Sequence, residues 1–185
     1  MKRKYFMMSG VFALLMILDQ WSKQWVASHF RLGESRSLID GFLQMTLVRN
    51  YGAAFSINVD HQWSTWFFLG VSILASFVVV YLFLQLKTWE KLSAWGLCLI
   101  MSGAVGNIVD RIRWGYVVDF IDVYYQNYHW YVFNVADSCI TVGAILYGID
   151  VFFIQPKIKH EFPWDATRET TVEQTEKMIQ EKVQS

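Results

Sequence analysis

The chain has 185 residues, of which 54% are hydrophobic and 17% aromatic. That length suits one domain, and the composition is too apolar for an ordinary small soluble one. A formal net charge of zero carries no nucleic-acid footprint. The two cysteines, Cys98 and Cys139, lie inside apolar runs, which excludes a disulfide framework, and His29, His61, His129 and His160 are too scattered for a zinc site.

A short basic start, Lys2-Arg3-Lys4, precedes an apolar run that ends at Asp19. It resembles the opening of a secretory signal, but no small-residue cleavage site follows. The reading is a transmembrane helix over about 5–27, with Asp19, Ser22 and Lys23 on one face at i, i+3 and i+4. Residues 28–65 contain no membrane-length run. Gly33 and Glu34 suggest a turn, Phe42–Val48 alternates loosely as a short strand, and Arg49-Asn50-Tyr51-Gly52 reads as a turn. This stretch is expected to form a small platform of strands on the bilayer, with Trp63, Trp66, Phe67 and Phe68 marking re-entry at headgroup level.

The second span is expected over about 66–86 and the third over 92–112, with Gly96, Gly103 and Gly106 allowing close helix approach. Residues 113–131 read as a loop rich in aromatic side chains. The fourth span is expected over 132–153, with Asn134 and Asp137 near its start. Pro156 then ends the membrane part, and 156–185 is a polar tail of mixed charge, either a weak amphipathic helix or disordered, with no chemistry assigned to it.

The expected architecture is therefore a mainly α-helical membrane protein. Four transmembrane helices carry a small β-containing extramembrane platform between helices 1 and 2, with residues 1–155 as the working domain and 156–185 as a cytoplasmic tail. The flanking Lys and Arg residues are nearly balanced between the two sides. Their density in the short segments Lys2–Lys4 and Lys87–Lys91 favours both termini inside. On that topology Asp19, Asp110, Asp119 and Asp137 all reach the outer face.

Charged groups near hydrocarbon are costly, so they usually face a protein interior and mark function. Gly103, Asn107, Asp110 and Arg111 share a helix face, and Asp119 stands in the apolar tetrad Val117-Val118-Asp119-Phe120. An interfacial salt bridge of Asp110 with Arg111 or Arg113 is the plainer account of that one carboxylate. Two carboxylates brought close share a proton, which lets one activate water while the other protonates a leaving group. Two other classes stay open on the residues alone. One is a metal-dependent membrane transferase or hydrolase using the acids as oxygen ligands, against which no Asp-x-x-Asp repeat occurs. The other is a small proton-coupled transporter, against which no internal repeat is found.

Five motifs stand in order along the chain: Asp19-Gln20-Trp21-Ser22-Lys23, Asn50-Tyr51-Gly52-Ala53-Ala54-Phe55, Gly103 to Arg111, Val117-Val118-Asp119-Phe120, and Phe133-Asn134-Val135-Ala136-Asp137-Ser138. In this the chain resembles the lipoprotein signal peptidase, or signal peptidase II, family over about residues 5–153. Ser102, where a further glycine is common, is a minor departure, and the tail exceeds the family core.

The resemblance implies an aspartyl endopeptidase of the bacterial cytoplasmic (inner) membrane. It would cut diacylglyceryl-modified prolipoproteins on the N-terminal side of the lipidated cysteine, near the periplasmic face. It implies Asp119 and Asp137 as the catalytic pair. Asp19, Lys23, Asn50, Gly52, Asn107, Asp110, Arg111, Asn134 and Ala136 are implied as supporting or substrate-positioning residues. No cofactor and no metal is expected. The expected partners are lipid-modified prolipoproteins and membrane lipids, with no nucleic acid and the chain a monomer. Between Asp110 and Asp119, the residues agree with the resemblance. Asp110 adjoins Arg111 and suits an ionised structural role, whereas Asp119 has no adjacent cation and raises its pKa more easily.

Overall fold

A computed structural model describes residues 2–52, 61–87 and 89–156. Among these, helix α1 spans Lys2–His29, α2 His61–Gln85, α3 Lys91–Trp114 and α4 Val135–Ile149, the last running into a π-helical turn at Asp150–Ile154. The strands are β1 Ser35–Ile39, β2 Leu43–Asn50, β3 Val117–Tyr125 and β4 Tyr128–His129. The chain divides into two units, 1–147 and 148–185, and the sheet and the site described below lie in the first. Residues 53–60, with part of the second motif, and the tail from 157 onward lie outside the described residues.

Among the described residues, three helices are long and apolar enough to cross a membrane: Trp63–Gln85, Lys91–Trp114 and Val135–Ile154. The four expected helices are all present, and α1 is the one that falls short of that measure. Helix α1, at 28 residues, has the length but gives up apolarity to its basic start and to the Asp19–Lys23 face. The fourth helix also begins at Val135, later than the expected 132, because Phe133 pairs as a strand residue with Ile121.

The expected loop at 113–131 is corrected too. It holds β3 and β4, which join β1 and β2 in one antiparallel sheet of order β1-β2-β3-β4. The platform is therefore not confined to the segment between the first two helices. Strand β3 is rich in β-branched and aromatic residues, as strands are. It was hidden because Val117–Phe120 are consecutively buried, so no two-residue alternation betrays it.

The register places Val48 opposite Asp119 and Asn50 opposite Val117, past an irregularity between Met45 and Val48. One face of the sheet closes over the end of α1, where Val26, Phe30, Leu47, Val118 and Phe120 form a buried cluster. Helix α3 meets both α4 and α1 through glycine. A Cβ on Gly96 would lie 2.7 Å from the Gly143 carbonyl oxygen, and one on Gly106 would lie 2.6 Å from an Asp19 carboxylate oxygen. This close approach is what the glycines of the third span lead one to expect.

Candidate active site

The site begins with a buried cation. Lys23, on the last turns of α1, has no solvent exposure, and its Nζ lies 2.9 Å from Asp19 Oδ2 and 2.9 Å from Asp110 Oδ2. The same ammonium donates to Asn107 Oδ1 at 2.9 Å. A buried charge needs such complete pairing to be tolerated. Asp110 thus takes its cation from α1, and not from the neighbouring Arg111 as the sequence suggested. Asp19 Oδ1 also accepts the Ala136 backbone N–H at 2.9 Å, and Asp110 Oδ2 accepts that of Val118 at 3.2 Å. One ion cluster therefore ties α1 and α3 to the start of α4 and to β3.

Asn134 is delivered by β pairing. Phe133 exchanges backbone hydrogen bonds with Ile121, so the next residue arrives beside β3. Its carbonyl accepts the Ser138 N–H, which makes it the N-cap of α4. Its Oδ1 accepts the Asp137 N–H at 2.9 Å while Asp137 Oδ2 accepts the Asn134 N–H at 3.3 Å, a reciprocal capping box. That fixes the amide so that Nδ2 donates to Asp119 Oδ1 at 2.6 Å. Asn107 plays the matching part for the other carboxylate: with its Oδ1 on Lys23, its Nδ2 donates to Asp137 Oδ1 at 2.8 Å.

The second oxygen of Asp119 accepts from Asn50 Nδ2 at 2.8 Å, and Asn50 Oδ1 is itself held by the Gly52 N–H at 2.7 Å. Gly52 sits at φ +95, where only glycine is unstrained. Asp119 is 1% exposed, whereas Asp137 is half-buried. Burial above all, and then the nearby Asp137, push the Asp119 carboxyl up to about 7, while hydrogen bonds from Asn50 and Asn134 and the charge of Lys23 pull the other way. Arg111 interacts electrostatically with Asp137, Asp119 and Asp110, and its Nη1 reaches the Asn107 carbonyl at 3.4 Å.

All eleven site residues singled out in the sequence fall in this one cluster. Three features lie outside the set of site residues that the sequence singled out. Gln20 Nε2 lies within hydrogen-bond reach of Asp19, Asp110 and the Gly106 carbonyl, although its neighbours on the chain drew the attention. Ser64 and Thr65, inside a run that reads only as aromatic re-entry, bond to distant carbonyls. Asp122, buried behind the strand, accepts from Gln44 at 2.7 Å and Thr46 at 2.9 Å and lies 3.0 Å from His129 Nδ1. No group of three or more His, Cys, Asp or Glu side chains among the described residues is arranged to hold a metal ion.

A helical membrane protein that holds two acids side by side through neutral amides defines a membrane-embedded hydrolase of the aspartic type. The comparisons with known proteins make this particular. A family model described as "Signal peptidase (SPase) II" matches residues 11–153, and the chain belongs to that family. It is 48% identical over 141 residues to the lipoprotein signal peptidase of Cupriavidus necator, covering 75% of this chain and 79% of that one. It is 45% identical over 148 residues to that of Acinetobacter baumannii, covering 79% and 83%. A bacterial membrane enzyme solved by the in meso method at 1.9 Å superposes with a TM-score of 0.70 at 32% identity, covering 80% of this chain and 94% of that one. A second such structure, at 2.3 Å, gives 0.70 at 33% identity over 78% and 87%. The chain is thus a multi-pass protein of the bacterial inner membrane that processes prolipoprotein signal peptides.

Proposed function

We propose that Asp119 and Asp137 are the catalytic pair of this peptidase, and that they cut the peptide bond on the N-terminal side of the diacylglyceryl-modified cysteine. The observation that carries the reading is Asn134. One side chain caps the helix that bears Asp137 and donates to Asp119, so the two acids are held as a unit. Asp119, with its carboxyl near 7, is the member that keeps a proton close to neutrality. The ionised partner takes a proton from water as the water oxygen attacks the scissile carbonyl carbon. The protonated partner gives its proton to the carbonyl oxygen. Collapse of the tetrahedral diol breaks the C–N bond, and the amine leaves with a proton from the pair.

The remaining residues support this chemistry without touching the reacting atoms. Lys23 bridges Asp19 and Asp110, and the hydrogen bonds that orient the catalytic acids come from the neutral amides of Asn50, Asn107 and Asn134. The lipid of the substrate stays in the bilayer and positions the peptide at the outer polar layer, so that burial of acyl chains serves orientation. In this reading α1 also spans, both termini are cytoplasmic, the site opens near the periplasmic face, and residues 1–155 carry the activity without the 156–185 tail.

Turnover of a lipidated precursor by purified Asp119→Asn, Asp137→Asn and Asp110→Asn proteins tests the pair, with precursor binding measured in parallel. Asp119→Asn and Asp137→Asn are each expected to bind and not to cleave. Substantial turnover by Asp119→Asn beside a folded, inert Asp110→Asn would reassign the pair to Asp110 and Asp137.

A further inference from the structure

The first turn of α2 lies outside the ion cluster and faces two ways. Trp63, Trp66 and Phe67 point outward, each more than half exposed. Between them Ser64 and Thr65 are buried at 6% and 7%. Farther along the same helix, Ser72 and Ser76 spend their hydroxyls in the ordinary way, on the carbonyls of Phe68 and Ser72 one turn back. Ser64 and Thr65 also reach beyond the helix. Ser64 Oγ donates to the Tyr51 carbonyl at 2.8 Å, and Thr65 Oγ1 donates to the Gly115 carbonyl.

Those two carbonyls have one thing in common. Tyr51 follows Asn50, whose amide holds Asp119 from β2, and Gly115 is the left-handed cap from which the chain turns out of α3 into β3, which bears Asp119. The Tyr51 and Tyr116 rings, next to the two anchored positions, meet edge to face at 5.6 Å. On the same inner face of α2, the Phe68 ring fills the space where a Cβ of Gly52 would stand, with Cε2 at 2.6 Å from it.

We propose that Ser64 and Thr65 are positioning residues, which clamp the Asn50–Gly52 turn and the Gly115 cap to the start of α2 and thereby hold Asn50 and Asp119 in catalytic register. The proposal rests on the reading of Asp119 as one of the catalytic pair. Two buried hydroxyls reaching 13 and 50 residues away are more than a helix terminus needs. They determine where both strands that meet at Asp119 begin or end. Small misplacements at such a centre are costly, because rate depends on angstrom-scale alignment.

The clamp has a signature that a purely structural bond lacks. Asp119 is faced by Asn50 from β2, Asn134 ahead of α4, Asp137 on α4, Lys23 from α1 and Arg111 from α3. Of these, Asn50 depends on the clamp for its aim, and its hydrogen bond favours the ionised form of Asp119. Loosening the clamp therefore moves the titration of Asp119 to higher pH.

The experiment measures kcat and KM against pH for a lipidated precursor with the wild type, Ser64→Ala, Thr65→Val and Thr65→Ser, alongside Asp119→Asn. Ser64→Ala and Thr65→Val are expected to lower kcat by about tenfold, to leave KM within about twofold, and to move the neutral limb of the kcat profile to higher pH. Thr65→Ser, which keeps the hydroxyl, is expected to restore kcat and the limb. If Thr65→Val fails to fold, Ser64→Ala and Thr65→Ser carry the same readings. Wild-type kcat in both Ser64→Ala and Thr65→Val, a loss with the limb unmoved, or a Thr65→Ser no better than Thr65→Val overturns the clamp. Turnover by Asp119→Asn would overturn the catalytic assignment instead, and an inert Asp119→Asn beside hydroxyl variants of wild-type behaviour would remove the clamp alone.

Discussion

The Lys23 ammonium lies 2.9 Å from the Asn107 amide oxygen, and this contact decides which way Asn107 faces. With its oxygen on the cation, the amide must turn its nitrogen toward Asp137. A buried charge on the first helix thus orients a neutral donor on the third, and through it a carboxylate on the fourth. Lys23→Met removes the ammonium that bridges two buried carboxylates and should cost about 3–5 kcal/mol of stability. Thermal unfolding in detergent checks this, and a loss below about 1 kcal/mol would show that the cluster is not paired as described.

Asp119 links stability to pH. Its folded pKa of about 7 lies above the value of about 3.9 for an unfolded aspartate, so the folded state binds the extra proton between those limits. Its contribution to stability is therefore greatest below about pH 4 and is lost as pH rises through about 7, with a slope of at most about 1.4 kcal/mol per unit. Asp119→Asn should flatten that part of the stability profile. Unfolding midpoints of wild type and variant across this range provide the measurement, and parallel curves would contradict the account.

Asp122 should act in the opposite sense. Burial pushes its carboxyl up, but hydrogen bonds from Gln44, His129 and Thr46 outweigh burial and hold it below the usual carboxylate range. That stability is present above the unfolded pKa of about 3.9 and is lost as pH falls through the lower folded value. Asp122→Asn is expected to cost about 1–3 kcal/mol at neutral pH and to weaken the acid-side loss. Unfolding of the variant at neutral and at acid pH gives both readings.

Gly106→Ala is expected to damage the site without changing any charge. The new methyl would meet Asp19 Oδ2 at 2.6 Å and the Ala136 Cβ at 3.3 Å, and Asp19 is already held by Lys23 and by the Ala136 N–H. A loss of about 1–3 kcal/mol in stability is expected, with a fall in turnover. Wild-type behaviour in both would mean that α1 and α3 separate more easily than their packing suggests.

Much of the chemistry was legible in the sequence because polar groups beside hydrocarbon are conspicuous. Asp19, Lys23, Asn107, Asp110, Asn134 and Asp137 stand out for that reason, and local helix spacing already places Asp19 with Lys23 and Asn107 with Asp110 and Arg111 on shared faces. The tertiary structure decided who pairs with whom. Lys23 chooses Asp110 as well as Asp19 because α1 packs against α3, a contact between residues far apart in the chain that no local spacing encodes. Strand β3 was missed because both of its faces are buried and its partner β2 lies far earlier, and with it went the completed sheet that holds Asp119. Ser64 and Thr65 were invisible for a simpler reason. Hydroxyls in an apolar helix normally bond to their own preceding turn, and only the arrival of two distant carbonyls gives these two a different task.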